Sequence, residues 1–120
     1  MQTNIDQNIK DIQNKIKLAC EAVNKSPDEV TLIAVSKKKD HFMIESALEN
    51  GIYNFGENYA QELQEKVSKI HSDNIIWHFI GPIQSNKVKI IAKSADWVHT
   101  LYREKIIRKW ATRSLYALKD

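Results

Sequence analysis

Three consecutive lysines, Lys37, Lys38 and Lys39, follow the apolar segment formed by residues 30–35. A lysine amine attacks an aldehyde only after it has lost its proton, and its ordinary pKa is about 10.4. Desolvation at the end of a buried strand and nearby positive charges both lower the pKa of an amine. These effects make Lys37 a candidate for a lysine that forms a Schiff base. The alternative interpretation is a solvated loop, because runs of lysine are common on protein surfaces.

A carboxylate, an amide and an imidazole are associated with two further apolar segments. Glu57 and Asn58 come at the end of residues 53–58, where they could present polar atoms to a ligand. The simpler interpretation is that Asn58 caps a helix that begins near Tyr59. His78 lies within an apolar strand, either as an acid, base or ring-contacting group or as a hydrogen-bonded core residue.

The segment of residues 81–87, Gly-Pro-Ile-Gln-Ser-Asn-Lys, combines a turn with the start of a helix that Ser85 can cap. Free backbone N–H groups at a helix start can bind an anion. The segment lacks the glycine spacing and the Gly-Lys-Ser/Thr ending of a P-loop. Nowhere does the sequence show metal-ligand spacing, a dinucleotide-binding glycine pattern or a Gly-x-Ser-x-Gly motif, so metal, NAD and serine-hydrolase chemistry are disfavoured.

Composition predicts one small globular domain over residues 1–120. The chain has 18 Lys plus Arg against 15 Asp plus Glu, a net charge of +3, and 42% hydrophobic residues. The signs are interspersed, which gives no support to nucleic-acid binding. The single cysteine, Cys20, suits a small apolar position on a helix and a reducing compartment. With no apolar stretch of membrane-spanning length and no signal-peptide pattern, we expect a cytoplasmic protein.

Hydrophobic periodicity predicts a leading helix and then alternating strands and helices. Apolar residues recur every three or four positions over about residues 4–24, within a leading segment 1–26 that ends at Ser26-Pro27. The residues 30–35 lack alternation, which predicts a strand covered on both faces. Short connections then force parallel crossovers in an α/β fold. The remaining predictions are helices at 42–50, from 59, at 85–94 and at 103–120, and strands at 53–58, 75–80 and 96–101, so that the strand-helix units occupy 30–101.

Three of these segments together resemble the pyridoxal phosphate homeostasis protein family. They are Ala-Val-Ser-Lys-Lys-Lys at 34–39, Phe-Gly-Glu-Asn-Tyr-Ala-Gln-Glu at 55–62 and Trp-His-Phe-Ile-Gly-Pro-Ile-Gln-Ser-Asn-Lys at 77–87. The resemblance includes order and spacing, and it extends from the first helix to about Lys105. The family has a barrel similar to the N-terminal domain of alanine racemase.

The resemblance implies a (β/α)₈ TIM-type barrel that holds pyridoxal 5'-phosphate as a Schiff base. Lys37 matches the Schiff-base lysine, and Asn58 and His78 match strand positions near the cofactor. The implied function is intracellular homeostasis of pyridoxal phosphate (vitamin B6) without enzymatic turnover. Neither nucleic acid nor membrane is implied as a partner.

The sequence also departs from the family. Lys38 and Asp40 stand where the family usually has a small hydroxyl residue and a proline, Tyr102 where it more often has an acid, and similarity fades after Lys105. A barrel needs roughly 200 to 250 residues, so we expect the N-terminal half of one, truncated at its C-terminal side. The strands that typically precede the phosphate-binding loops, and the family's partner for the pyridine nitrogen, would then be missing, and affinity for the cofactor would be weaker.

Two alternatives stay open. One is a racemase-like enzyme that uses the same cofactor, for which only His78 and Tyr59 are candidate bases. The other is a remnant that binds no cofactor and acts through self-association, because a half-barrel would expose an apolar inner face and strand edges. Two halves could then pair as a homo-oligomer.

Overall fold

The computed structural model describes residues 2–36, 41–70 and 72–100, which form an α/β arrangement of helices on a parallel sheet. The predicted helix at 103–120 lies outside the described residues. The predicted order of a leading helix followed by strand-helix units is confirmed in the described part. In chain order the elements are α1 (Gln2–Ala22), a 3₁₀ turn (Pro27–Glu29), β1 (Ile33–Val35), α2 (His41–Glu49), β2 (Asn54–Glu57), α3 (Ala60–Lys69), β3 (Ile76–Phe79), a 3₁₀ turn (Ser85–Lys87), α4 (Val88–Ser94) and β4 (Trp97–Val98).

The four described strands form one sheet in the order β1-β2-β3-β4, and each pairs in parallel with the next. One register line joins Val35, Gly56, His78 and Trp97 across all four strands. Side chains on such a line point to the same face of a sheet, and their chain neighbours point to the other. The register therefore assigns every strand residue to one of two faces.

One of these faces is buried beneath the helices. It carries Phe55 and Trp77, whose ring centroids lie 5.8 Å apart, and it also carries Glu57 and Phe79. The aromatic residues pack with the inner sides of the helices, where Leu63 of α3 is fully buried. The same core contains Ile44 and Ala47 of α2, Ala60 of α3, Val88 and Ile91 of α4, and Ile52, Ile70, Ile75 and Ile83 from connecting segments.

The opposite face, called the open face below, has no helix over it in the described part of the chain. Its side chains Val35, Ile76 and Trp97 are 49%, 36% and 62% exposed. The prediction that the strand at 30–35 is covered on both faces is therefore wrong. The predicted exposure of an apolar inner face is confirmed for these residues.

The predicted strand at 30–35 is also shorter in the structure, because Val30 still belongs to the preceding turn. Its N–H donates to the carbonyl of Pro27 at 3.1 Å. That turn starts as predicted with Ser26, whose hydroxyl accepts from the N–H of Asp28 and whose own N–H donates to Glu29 Oε2. This reciprocal capping box fixes where the chain enters β1.

The end of α2 and the burial along α1 can be compared with the helices predicted from sequence. The predicted stop of α2 at Asn50-Gly51 is confirmed, since Gly51 has φ +81°, a conformation that glycine adopts without strain. Along α1, Cys20 is buried and Ile9 packs on the core, but Ile12 is 43% exposed. The predicted apolar stripe of α1 is thus only partly covered. None of the helices among the described residues is long and apolar enough to cross a membrane.

Candidate functional site

The carboxyl ends of parallel strands meet at one edge of a sheet, which is where α/β proteins place their sites. Ser36 directly follows β1, Asn58 follows β2, and His99 follows β4. Lys37 comes directly after Ser36 in the chain but, like Lys38 and Lys39, lies outside the described residues. The described edge therefore includes the backbone from which the chain continues into the three lysines.

A buried polar cluster lies beneath this edge, on the helix side of the sheet. The ammonium of Lys66 lies 2.8 Å from Glu57 Oε2 and 3.0 Å from Glu62 Oε1, and it donates a third hydrogen bond to the carbonyl oxygen of Ser36. The Ser36 hydroxyl donates to Glu57 Oε2. Glu57 is fully buried and the Lys66 side chain is 11% exposed, so the two charges compensate each other away from water.

This cluster overturns one interpretation of the sequence and reveals a residue that the sequence analysis missed. Glu57 does not present its carboxylate to a ligand, because the strand alternation turns it toward α3. Lys66 was not singled out from the sequence. Its signal was its position beside Leu63 and Val67 on the apolar side of α3, where a charge requires a partner.

Asn58 lies half-buried at the end of β2 and lines a pocket of about 320 Å³. The prediction that Asn58 caps the following helix is wrong, because Tyr59 occupies the N-cap position and no side chain caps α3 there. The amide is therefore not committed to capping. The other residues that line this pocket are Tyr59, Ala60, Gln61, Phe79, Pro82, Gln84, Lys87 and Ile91.

The loop after β3 packs directly on the backbone of Asn58. A Cβ atom built on Gly81 would lie 2.2 Å from the carbonyl oxygen of Asn58, so only glycine allows this contact. Thr100 donates to the carbonyl of Gly81 at 2.6 Å, which links the loop to the segment after β4. The predicted capping by Ser85 is wrong, since Gln84 is the N-cap of the 3₁₀ turn and forms no side-chain cap.

His78 forms a hydrogen-bonded chain with Asn54 of β2 on one side and with His99, which directly follows β4, on the other. Its Nε2 lies 2.8 Å from Asn54 Oδ1, and its Nδ1 lies 3.0 Å from Nε2 of His99. A carboxamide oxygen only accepts, so in this assignment Nε2 of His78 carries a hydrogen and Nδ1 of the neutral ring accepts from His99. The ring of Trp97 is nearly parallel to that of His78, at 13° and 6.5 Å between centroids.

The surroundings of His78 favour its neutral form. Burial lowers the pKa of His78, the nearby His99 lowers it further, and the charge of Asp96 acts in the opposite direction. The side chain is 5% exposed. We therefore expect an uncharged imidazole at neutral pH, with both ring nitrogens engaged.

The three residues predicted for the site have different surroundings. His78 lies on the open face in the middle of the sheet, Asn58 lies at the edge beside the pocket, and Lys37 is outside the described residues. Within the described ranges, no group of three or more His, Cys, Asp or Glu side chains could hold a metal ion. Of the three predicted residues, the described part of the chain therefore places an imidazole on the open face and an amide at the strand edge.

Relatives with closely similar sequences carry one name. The pyridoxal phosphate homeostasis proteins of Buchnera aphidicola and Haemophilus influenzae are each 48% identical to this chain, over 104 and 105 residues, or 86% of the chain. The protein of that name from Escherichia coli is 41% identical over 105 residues. These matches cover 45%, 44% and 45% of the three relatives. No family model matches the chain.

Solved structures show the same fold over a similar extent. PipY from Synechococcus elongatus is 27% identical, with TM-scores of 0.72 without PLP and 0.68 with PLP bound, and each match covers 84% of this chain. The matches cover 47% and 48% of PipY. A crystal structure of an unknown protein from Bifidobacterium adolescentis, at 22% identity and a TM-score of 0.84, supports the fold alone.

The predicted fold is confirmed as four parallel strands with a leading helix, corresponding to about half of these longer α/β chains. The chain likewise spans about half the length of the curated relatives it matches. Over the 86% of its own length that aligns with them, the chain is homologous to proteins named pyridoxal phosphate homeostasis protein.

Proposed function

We propose that this chain binds pyridoxal 5'-phosphate, held as a Schiff base on Lys37, and serves pyridoxal phosphate homeostasis without turnover of its own. The observation that supports it most is the 48% identity to proteins named for that role, over residues that include all the strand ends. PipY, a structural relative, has PLP bound. We assign Asn58 and His78 to contact with the cofactor.

The described residues fit such a cofactor chemically. Pyridoxal phosphate is an anion with several hydrogen-bonding atoms, to which Asn58 at the strand edge offers an amide and His78 on the open face an imidazole. The pocket of about 320 Å³ that Asn58 also lines includes Phe79 and Ile91 and therefore lies on the helix side, away from His78. The donor set is thus suited to binding, although these residues form only part of what a full-length relative would supply.

The cofactor supplies an aldehyde, which condenses with an unprotonated lysine amine with the loss of one water molecule. Asn58 contributes an amide that is not used as a helix cap. His78 contributes a neutral ring whose proton is held at Nε2 toward Asn54. These groups bind and orient, and none of them is a charged acid at neutral pH.

The same geometry argues against the racemase-like alternative. A base for proton abstraction needs a free lone pair within reach of the substrate. Both ring nitrogens of His78 are engaged, by Asn54 and by His99. Tyr59, the other candidate, is 58% exposed at the start of α3. This supports binding rather than catalysis.

Borohydride trapping tests the proposal. The purified chain is mixed with pyridoxal 5'-phosphate, the absorbance is recorded, the product is reduced with borohydride, and the modified lysines are located by peptide mass. We expect the adduct mainly at Lys37, and loss of the absorbance band in Lys37→Ala. An adduct spread over many lysines, or identical spectra for the wild type and Lys37→Ala, would contradict the proposal.

The alternative of a non-binding protein that self-associates rests on a separate observation. Val35, Ile76 and Trp97 leave the open face partly apolar and exposed. Exposed apolar faces commonly mark interaction surfaces. We therefore propose self-association through this face as a second property of the chain.

A further inference from the structure

We infer that Lys66 and Glu57 are positioning residues for Lys37, acting through Ser36 from the helix side of the sheet. The inference rests on the proposed function, because it assumes that Lys37 is where the cofactor attaches. Neither charged group is on the open face, so neither would act by touching the cofactor from that face.

All three polar groups of Ser36 are held by neighbouring elements. Its N–H donates to the carbonyl of Gly56 at 3.0 Å, its hydroxyl donates to Glu57 Oε2, and its carbonyl accepts from Lys66 Nζ. The residue is 4% exposed. The end of β1 is therefore fixed to β2 by backbone and side chain, and to α3 by the ammonium.

The carbonyl contact matters most for the next residue. The hydrogen bond from Lys66 holds the carbonyl of Ser36, the last described backbone group before the chain continues into Lys37. The same ammonium is bound to Glu57 and Glu62, at 2.8 and 3.0 Å. Three acceptors thus fix the position of one donor.

Stability alone gives a poor reason for this arrangement. Replacing a buried ion pair by apolar residues of similar volume is often neutral or stabilising. Glu57 is fully buried, and its Oε1 has no hydrogen-bond partner among the described residues, which is a cost. The buried pair of Glu57 and Lys66 is explained, despite this cost in stability, if it fixes the direction of the chain at the end of β1.

The test uses variants that leave no lone buried charge. The double variant Glu57→Gln/Lys66→Met removes the hydrogen bond to the Ser36 carbonyl together with both charges. Lys69→Met is the matched control, because Lys69 is an exposed lysine on the same helix. If Lys66→Met alone fails to fold, the double variant can still be measured, because it leaves no unpaired carboxylate at Glu57.

The first measurement is the rate of borohydride-trapped adduct at Lys37 relative to the other lysines. We expect about a tenfold lower rate in the double variant, since a misplacement of about 1 Å can cost up to about 10²-fold. Lys69→Met should match the wild type. An unchanged Lys37 preference in the double variant overturns the inference alone. A wild type without that preference overturns the proposed function, and this inference with it.

The second measurement needs no cofactor. Hydrogen exchange of the peptide that contains the Ser36 N–H should be faster in the double variant than in the wild type, while peptides from α4 stay unchanged. The same rate in both proteins would show that Lys66 and Glu57 do not fix the strand end, and would overturn the inference whatever the trapping result.

Discussion

His78 of β3 and His99, which directly follows β4, have their rings joined by a 3.0 Å contact between Nδ1 and Nε2. Only one proton can occupy that contact. A second positive charge on this pair would repel the first, and burial of His78 adds to the penalty. Protonation of His78 should therefore destabilise the folded sheet.

The chain should lose stability as the pH falls from 7.5 to 5.5. The pKa of His78 is lowered in the folded chain, so the unfolded chain takes up the proton first, near its ordinary value of about 6.5. Stability is fully present above that value and is lost as the pH falls toward the lowered pKa. Urea unfolding at several pH values measures this change in the free energy of unfolding.

The matched control for this prediction is His41, which is exposed at the start of α2. His78→Asn should reduce the dependence of unfolding free energy on pH, and His41→Asn should leave it as in the wild type. An equal slope for His78→Asn and the wild type would show that His78 does not carry the effect.

Lys66→Met should be strongly destabilising, whereas Glu57→Gln/Lys66→Met should recover most of the loss. The single variant leaves the fully buried carboxylate of Glu57 without its ammonium partner, for which a cost of about 3–5 kcal/mol is typical. The exposed Lys69→Met should change the unfolding free energy by no more than about 0.5 kcal/mol. Urea unfolding of all three variants measures these values, and equal losses for the single and double variants would contradict the prediction.

Replacement by asparagine should reduce the unfolding free energy much more at Gly81 than at Gly51. Gly81→Asn would place a Cβ atom 2.2 Å from the backbone oxygen of Asn58, so we expect a loss of about 1–3 kcal/mol or more. Gly51→Asn should cost less, because nothing lies within 4 Å of its Cβ position and the strain is limited to φ +81°, which asparagine tolerates better than most residues. Thermal unfolding compares them. Similar losses at both positions would mean that the Asn58 contact is not tight.

Periodicity and turn residues were sufficient to predict the elements and their parallel order. The capping box at Ser26 and the stop at Gly51 were readable because both depend on local backbone chemistry. Strand lengths could not be predicted from sequence, because they depend on which hydrogen bonds the neighbouring strand offers. The third helix was predicted to begin at residue 59, whereas Tyr59 is the N-cap of α3, 58% exposed and outside the helical turns.

The site was predicted only in part, for a physical reason. The strand end at Asn58 and the strand that contains His78 could be found from sequence, because these polar residues follow or interrupt apolar segments. The role of Glu57 could not, since alternation decides its face only once the register with β1 and β3 is known. Lys66 belongs to another element altogether, and its partner could be identified only from the packing of α3 on the sheet.

Self-association through the open face is the last prediction. Trp97 is 62% exposed there, and burying an aromatic side chain contributes about 1.5–3 kcal/mol. We therefore expect the purified chain to form dimers or larger oligomers at micromolar concentration, and Trp97→Glu to raise the dissociation constant at least about tenfold. Light scattering across a concentration series measures both. Phe42→Glu is the control, because Phe42 is a 64% exposed aromatic residue on α2. A wild type that stays monomeric, or equal effects of the two substitutions, would rule out the open face as the contact surface.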